Sequence, residues 1–241
     1  MKNFTILVSV FMLSLGTTLA QGDPTFGEST AINSYGEGPM APGRWYLGGM
    51  LGFTAQTEKH IDGSNESKGP KTTNFNIIPS FGYVINDKWA VGLGIGYESQ
   101  SVKTIGTDLD GNDVDLKNKF GQFVIMPRVG YFRQLTNNLY CIPYFYIGFG
   151  FGSTKDESIG FDGQVTTLEG KISSFEVGIA PSLKYFFSNY WAISLAYGKL
   201  YYQGITNTPN KENTDHKNKT ASYGLDLNLT SINLGLYYFF D

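Results

Sequence analysis

The stretch 74–97, NFNIIPSFGYVINDKWAVGLGIGY, constrains the chain more than any other. Phe75, Ile77, Pro79, Phe81, Tyr83 and Ile85 share one parity, and Asn76, Ser80 and Gly82 share the other. After the polar break Asn86-Asp87-Lys88 the alternation resumes. Trp89, Val91, Leu93, Ile95 and Tyr97 stand against Ala90, Gly92, Gly94 and Gly96. A period of two specifies a strand with two unlike faces. Two such runs about an Asn/Asp turn predict an antiparallel hairpin. The large residues occupy one face, and Gly, Ala, Ser and Asn occupy the other. A barrel in water would bury the large face. A narrow barrel in lipid turns it outward and keeps the small and polar face inside.

Composition agrees. Charged residues are 16% of the chain, below the usual quarter, while aromatics reach 15% and there are 30 glycines. The mean hydropathy of −0.17 leaves no room for a membrane helix. It suits a transmembrane barrel, in which alternate residues meet lipid. A net charge of −3 gives no reason to expect a nucleic-acid partner.

Residues 1–20 read as a secretory signal peptide. Lys2 supplies the positive start, residues 4–15 are apolar, and Thr18-Leu19-Ala20 offers small residues before a cut. The apolar run is short of the about 20 residues that a spanning helix needs. No Cys follows the cut, so a lipoprotein is not expected. The lone Cys141 cannot form an internal disulfide, and its parity places it on an apolar strand face.

Residues 21–43 are rich in Gly, Pro and Ser and lack a period. They form a flexible N-terminal segment, or a plug folded back into the barrel mouth. Residues 44–241 then carry eight alternating runs: 44–56, 74–85, 89–97, 120–132, 139–152, 172–187, 191–203 and 221–240. The stretches 57–73, 101–118, 153–170 and 204–219 read as long polar loops. Short turns alternate with them. In the last run the apolar parity changes from Leu225, Leu227 and Leu229 to Ile232, Leu234 and Leu236, which predicts a bulge near Thr230–Ser231. The expected architecture is all-β: a closed eight-stranded antiparallel up-and-down transmembrane β-barrel. Its short turns and termini would lie on the periplasmic side and its long loops outside the cell.

Tyr83, Trp89, Tyr131, Tyr185, Trp191, Tyr238 and Phe240 flank the short turns and read as a periplasmic aromatic girdle. Pro79, Pro127 and Pro181 each begin a P-x-φ-x-Y segment before a short turn. Proline inside a strand removes a ladder hydrogen bond, so three equivalent prolines imply a bulge or register feature.

Four ionisable residues fall on the inner face: Glu98, Arg128, Glu176 and Lys184. They could line a narrow pore. An eight-stranded barrel is wide enough only for its own side chains, so a packed polar core is the favoured reading, with Tyr140, Tyr144 and Tyr146 filling it further. Residues 108–115 hold a run of aspartates that could bind calcium, but the EF-hand position that requires Gly is Asp113. A solvated Asp-Gly turn is expected, with no metal and no cofactor. His60 and His216 are the only histidines, and no G-x-S-x-G occurs. Catalysis is not expected. Lys59, Lys68, Lys71, Lys211, Lys217 and Lys219 could touch lipopolysaccharide phosphates.

The signal peptide, the P-x-φ-G-Y hairpins with a following Trp, and the final run Ile232 to Phe240 resemble the outer membrane protein beta-barrel domain family. That family is similar to the small eight-stranded barrels of the OmpA and OmpX kind. The resemblance covers residue 44 to the C-terminus. It implies an outer-membrane location in a Gram-negative-type cell and a terminal strand read by the barrel assembly machinery. Asp241 makes the terminal aromatic penultimate, a departure from the pattern. No peptidoglycan-binding domain follows the barrel, so that anchoring role is not implied. The family fixes architecture rather than one activity. The leading expectation is a structural or surface-binding barrel without catalysis. A narrow porin-like channel for small or hydrophobic solutes is one alternative. A loop-rim enzyme of the lipid A acyl-modifying type is the other.

Overall fold

The computed structural model describes residues 38–62, 65–211, 216–227 and 232–241. The expected signal peptide, residues 21–37 and the expected bulge at Thr230–Ser231 lie outside the described residues. The described unit spans Gly38–Asp241. It is an all-β antiparallel sheet of thirteen strand segments. They are β1 (Trp45–Asp62), β2 (Asn65–Val84), β3 (Trp89–Thr107), β4 (Asp113–Tyr131), β5 (Arg133–Gln134), β6 (Leu139–Cys141) and β7 (Tyr144–Ile159). β8 (Val165–Ala180), β9 (Ser182–Phe186), β10 (Trp191–Tyr197), β11 (Lys199–Thr208), β12 (Asn218–Asp226) and β13 (Ile232–Phe240) complete it.

The alternation seen in the sequence sets the two faces. Leu47, Leu51, Phe53, Ile77, Phe81, Leu93 and Ile95 are exposed, while Tyr46, Ile78, Ser80 and Val84 are buried. The sheet curls, because side chains from distant strands meet across the buried face. Arg128 on β4 reaches the Tyr237 hydroxyl on β13, and Lys184 on β9 lies over the Tyr46 ring on β1. β1 pairs with β2 along one edge and with β13 along the other, so Trp45 stands opposite both Tyr83 and Phe240.

Three of the four expected long loops, 57–73, 101–118 and 153–170, are mostly strand. β1 and β2 stay paired as far as Asp62 and Asn65, β3 and β4 as far as Thr107 and Asp113, and β7 and β8 as far as Ile159 and Val165. Beyond the lipid belt both faces of a hairpin meet water, so apolar alternation disappears although backbone pairing continues. Thr, Val and Ile then hold the strand by local preference.

Pro79 and Pro127 do not shift register. Ile77 pairs with Tyr97 and Ser80 with Gly94, on one unbroken register across Pro79. Ile125 pairs with Phe149 and Arg128 with Tyr146, on one register across Pro127. Pro181 separates β8 from β9, and there Ile142 and Ser182 exchange two backbone hydrogen bonds of 2.7 and 3.1 Å. Pro79 and Pro127 omit a donor and interrupt the ladder without inserting a residue. Beside Pro181 the expected register feature is present on the β10/β11 side: Ser182 pairs with Ala196 but Ile179 with Leu200, one extra residue falling at Gly198.

The turns are closed by side chains. The Asn86 carboxamide oxygen accepts from the backbone N–H groups of Lys88 and Trp89, each at 2.9 Å. The Ser188 hydroxyl accepts from those of Tyr190 and Trp191 at 3.2 and 3.0 Å. Short polar residues hold turns in this way. Above them lies a buried apolar cluster of Met40, Tyr46, Val84, Ala90, Phe132, Tyr140, Ile142, Tyr144, Phe186, Ala192, Tyr237 and Phe239. At this end the interior is mainly aromatic and aliphatic, with the buried cations Lys184 and Arg128 set among its rings. Met40, within the stretch expected to be a linker, is 5% exposed and belongs to this cluster.

Candidate functional site

The buried face is layered. Nearest the short turns, Lys184 is 1% exposed. Its ammonium sits 3.7 Å from the Tyr237 ring centroid, 5.4 Å from that of Tyr46 and 5.2 Å from that of Phe239. Arg128 is also buried, 5.0 Å over the Tyr144 ring and 3.5 Å from the Tyr237 hydroxyl. Tyr237 thus stands between the two cations. Among the described residues neither cation has a carboxylate within ion-pair distance. Aromatic faces supply the compensating negative charge instead.

Glycines make room for these rings. A Cβ on Gly82 would collide with the Tyr46 ring and the Val91 carbonyl, and one on Gly92 with the Tyr46 hydroxyl. That hydroxyl donates to the Val91 carbonyl at 3.3 Å. A Cβ on Gly48 would meet the Tyr237 ring.

The next layer is polar. Gln122 donates to Glu98 at 2.9 Å and accepts from the Ser174 hydroxyl at 2.9 Å. Glu176 accepts from the Tyr146 hydroxyl at 2.6 Å and from the Lys199 ammonium at 2.7 and 2.8 Å. So Arg128 and Lys184 share one aromatic cage, whereas Glu98 and Glu176 occupy two separate networks nearer the long hairpins. Inner parity could have flagged Gln122, Tyr46 and Tyr237. Nothing local marks Lys199, which lies just beyond the break at Gly198, a glycine with φ of 74°.

A second device closes the short-turn end. The Arg44 guanidinium donates to the carbonyls of Gly38, Pro39, Asn189 and Phe239. It also stacks over Tyr190 and pairs with the Asp241 carboxylate at 3.0 Å. Asp241, a departure in the terminal pattern, is therefore half of a clasp between the N-terminal segment, the 188–190 turn and the last strand.

Outside, aromatics mark both limits of the apolar belt. At the short-turn end Trp89 packs on Tyr131 with centroids 5.0 Å apart, and Trp45 on Tyr83 at 4.8 Å. Trp191 packs on Tyr238 at 4.9 Å, and Tyr238 stacks with Phe240 at 6.0 Å. Tyr185 is exposed on the same face. The sequence reading missed the opposite row, in which Phe53, Tyr97, Phe123, Phe151 and Phe175 are all exposed. Tyr97 and Phe123 touch there, with centroids 5.2 Å apart.

The hairpin tips carry their own chemistry. Asp108 accepts from the backbone N–H groups of Asp110 and Asn112 and from the Asn112 carboxamide. The Asn112 bonds come first in holding its pKa below the ordinary carboxylate value. Gly111, with φ of 84°, completes the turn. His216 is exposed, and the His60 side chain lies outside the described residues.

Glu169 accepts from Lys155 at 2.6 Å and is also paired with Lys211. These hydrogen bonds, Lys155 first, lower its pKa from 4.5 to about 2. The folded value is depressed, so the tie is complete above the ordinary value and is lost as pH falls through about 2. Carboxyl carbon NMR is expected to give a Glu169 midpoint near 2 and a Lys155→Gln/Lys211→Gln midpoint back near 4.5. The group is exposed, so global stability moves little.

An antiparallel sheet with an apolar outer face, aromatic rows at both limits of that face and a packed interior is how an integral barrel meets a bilayer. The model of the outer membrane protein beta-barrel domain family matches residues 38–240, and the chain belongs to that family. It is an outer-membrane protein. Its structure is similar to that of the outer membrane protein OprG from Pseudomonas aeruginosa, at 17% identity and a TM-score of 0.45, covering 83% of this chain and 96% of that one. A major outer membrane protein from Thermus thermophilus gives 14% identity and 0.45, covering 82% and 98%. Ail, the attachment invasion locus protein of Yersinia pestis, gives 14% and 0.31, covering 83% and 99%. No curated protein matches the chain.

Proposed function

We propose that this protein is a closed eight-stranded barrel that serves the outer membrane as a structural or surface-binding element, without catalysis and without a continuous pore. Five pairs of segments read as single interrupted strands: β4/β5, β6/β7, β8/β9, β10/β11 and β12/β13. β5 and β12 end the sheet order, yet they continue β4 and β13, which lie inside it. The pairs Leu139–Tyr185 and Tyr144–Ala180 fall on one register across the Pro143/Pro181 gap, as one strand pair would. Closure leaves no strand edge in lipid.

The observation that carries the function is the stopper at the short-turn end. Met40, Phe132, Phe186 and Phe239 pack in the apolar cluster beneath the Lys184–Tyr237–Arg128 cage. An apolar plug with desolvated cations above it gives ions neither water nor a graded path. The short turns then face the periplasm, with the Arg44 clasp and the signal-peptide end of the mature chain. The long hairpins stand outside the cell, where they meet partners and lipopolysaccharide. The last strand is the segment presented to the barrel assembly machinery.

In planar bilayers the full-length mature protein is expected to give no unitary conductance. Steady ohmic steps that fall in Arg128→Gln or Glu98→Gln would instead establish the narrow-channel reading. Hydrolytic or acyl-transfer activity on lipid, lost in His216→Ala, would establish the enzyme reading.

A further inference from the structure

Lysines oppose one another across neighbouring strands on the outer face. Lys71 on β2 pairs with Lys103 on β3, and Lys103 pairs with Lys117 on β4. One step along, Lys119 on β4 pairs with Lys155 on β7. These positions share the parity of Phe75, Tyr97, Phe123 and Phe151, so their side chains leave the sheet on the lipid side.

Like charges directly opposite on a sheet are destabilising. Among the described residues no carboxylate is ion-paired with Lys71, Lys103, Lys117 or Lys119. Glu169 takes Lys155, and Glu157 accepts the backbone N–H of Lys117 at 2.8 Å.

Their height is specific. Lys71, Lys119 and Lys155 each stand four residues beyond an outward aromatic: Phe75, Phe123 and Phe151. At roughly 3.3 Å per residue and a tilt of about 40°, four residues rise about 10 Å along the membrane normal. That is the depth of lipid headgroups just outside the hydrocarbon core. The apolar belt below would hold acyl chains while the lysines above hold acidic headgroups.

We infer that Lys71, Lys103, Lys117 and Lys119 form a binding site for the phosphate groups of outer-leaflet lipid, one face of the barrel being built to hold a phosphorylated, multiply acylated lipid upright. This rests on the outer-membrane barrel reading and adds a ligand class and residues to it. Lysine ammoniums act on phosphate as point charges. Binding is therefore direct and salt-sensitive, with no bridging divalent cation.

The test uses the full mature protein in phosphatidylcholine vesicles, alone or with diphosphoryl lipid A, phosphate-free lipid A or inorganic phosphate. Two readouts serve: lipid retained through detergent extraction, and the temperature at which the compact gel band is lost. Diphosphoryl lipid A is expected to be retained and to raise that temperature, even with EDTA present, with retention falling in high salt. Lys71→Gln/Lys103→Gln/Lys117→Gln/Lys119→Gln is expected to lower retention at least tenfold, while Lys88→Gln, in a short turn at the opposite end, leaves it unchanged. Lys103→Gln alone, at the centre of the row, is expected to lower it about threefold and guards against misfolding of the quadruple variant. Equal retention of phosphate-free lipid A, undiminished retention by Lys103→Gln in its compact form, or an equal temperature rise with inorganic phosphate alone would each overturn the site. A failure of the barrel reading is distinguishable, because the wild-type chain would then not enter vesicles at all.

Discussion

Gly82→Val is expected to leave the chain unable to reach its compact, heat-modifiable form. A side chain at residue 82 must occupy the volume of the Tyr46 ring while also meeting the Val91 carbonyl. Tyr46 is 2% exposed and is held at its far end by a hydrogen bond to that same carbonyl. Ring and backbone cannot both withdraw. Overpacking of a tight core usually costs about 1–3 kcal/mol, and a backbone obstruction places this case at or beyond the upper end. Removing the ring restores the space, so Gly82→Val/Tyr46→Ala is expected to fold better than Gly82→Val alone. A Cβ on Gly204 meets nothing within 4 Å, so Gly204→Ala serves as the tolerated control. Urea titration in detergent micelles measures all three variants against the wild type. An unchanged midpoint for Gly82→Val would place the Tyr46 ring outside the interior and overturn the packing described for the cage.

Lys184→Met is expected to raise stability. A buried ammonium gives up its hydration, an effective penalty of several kcal/mol per ion. Its recompense here is the Tyr237 ring at 3.7 Å, with the Tyr46 and Phe239 rings farther off. A desolvated cation–π contact is worth about 2 kcal/mol or more, which is less than the penalty. Arg128, the other cation beside Tyr237, adds repulsion. Met has nearly the length of Lys, carries no charge and keeps the van der Waals contact. The expected gain is about 1–4 kcal/mol, seen as a higher urea midpoint with an unchanged slope. Lys184→Ala would instead leave a cavity and lose stability. A large loss in Lys184→Met would mean that an anion or water accompanies the ammonium, and the cage would then be a ligand site.

Strand positions and faces were legible because lipid punishes errors of parity. Trp89, Val91, Leu93 and Ile95 alternate without a fault, and all four are exposed on β3. Above the lipid belt that pressure ends. The sequence around Lys103 and Lys117 therefore reads as loop, although those residues face each other in a ladder. Two of the three prolines, Pro79 and Pro127, misled in another way. A missing donor is visible in sequence, but whether the chain answers by slipping register or by leaving a gap depends on the partner strand.

The interior was legible as a set of residues and not as an arrangement. Glu98, Arg128, Glu176 and Lys184 could be chosen by parity, but their partners come from other strands. Tyr237 is 109 positions from Arg128, and Lys199 is 23 from Glu176. The clasp of Arg44 on Asp241 joins the two ends of the described chain and has no local signature at all.

Sequence alone determined the hairpin at 74–97, its lipid-facing side and the aromatic row beside its turn. It did so because alternation acts between neighbouring residues and the bilayer acts on each of them separately. Tertiary structure alone decided that Met40 enters the buried apolar cluster, that two cations share one tyrosine, and that lysines from neighbouring strands stand side by side. Those facts depend on strand register and on curl across the sheet, which bring together residues that no sequence window contains.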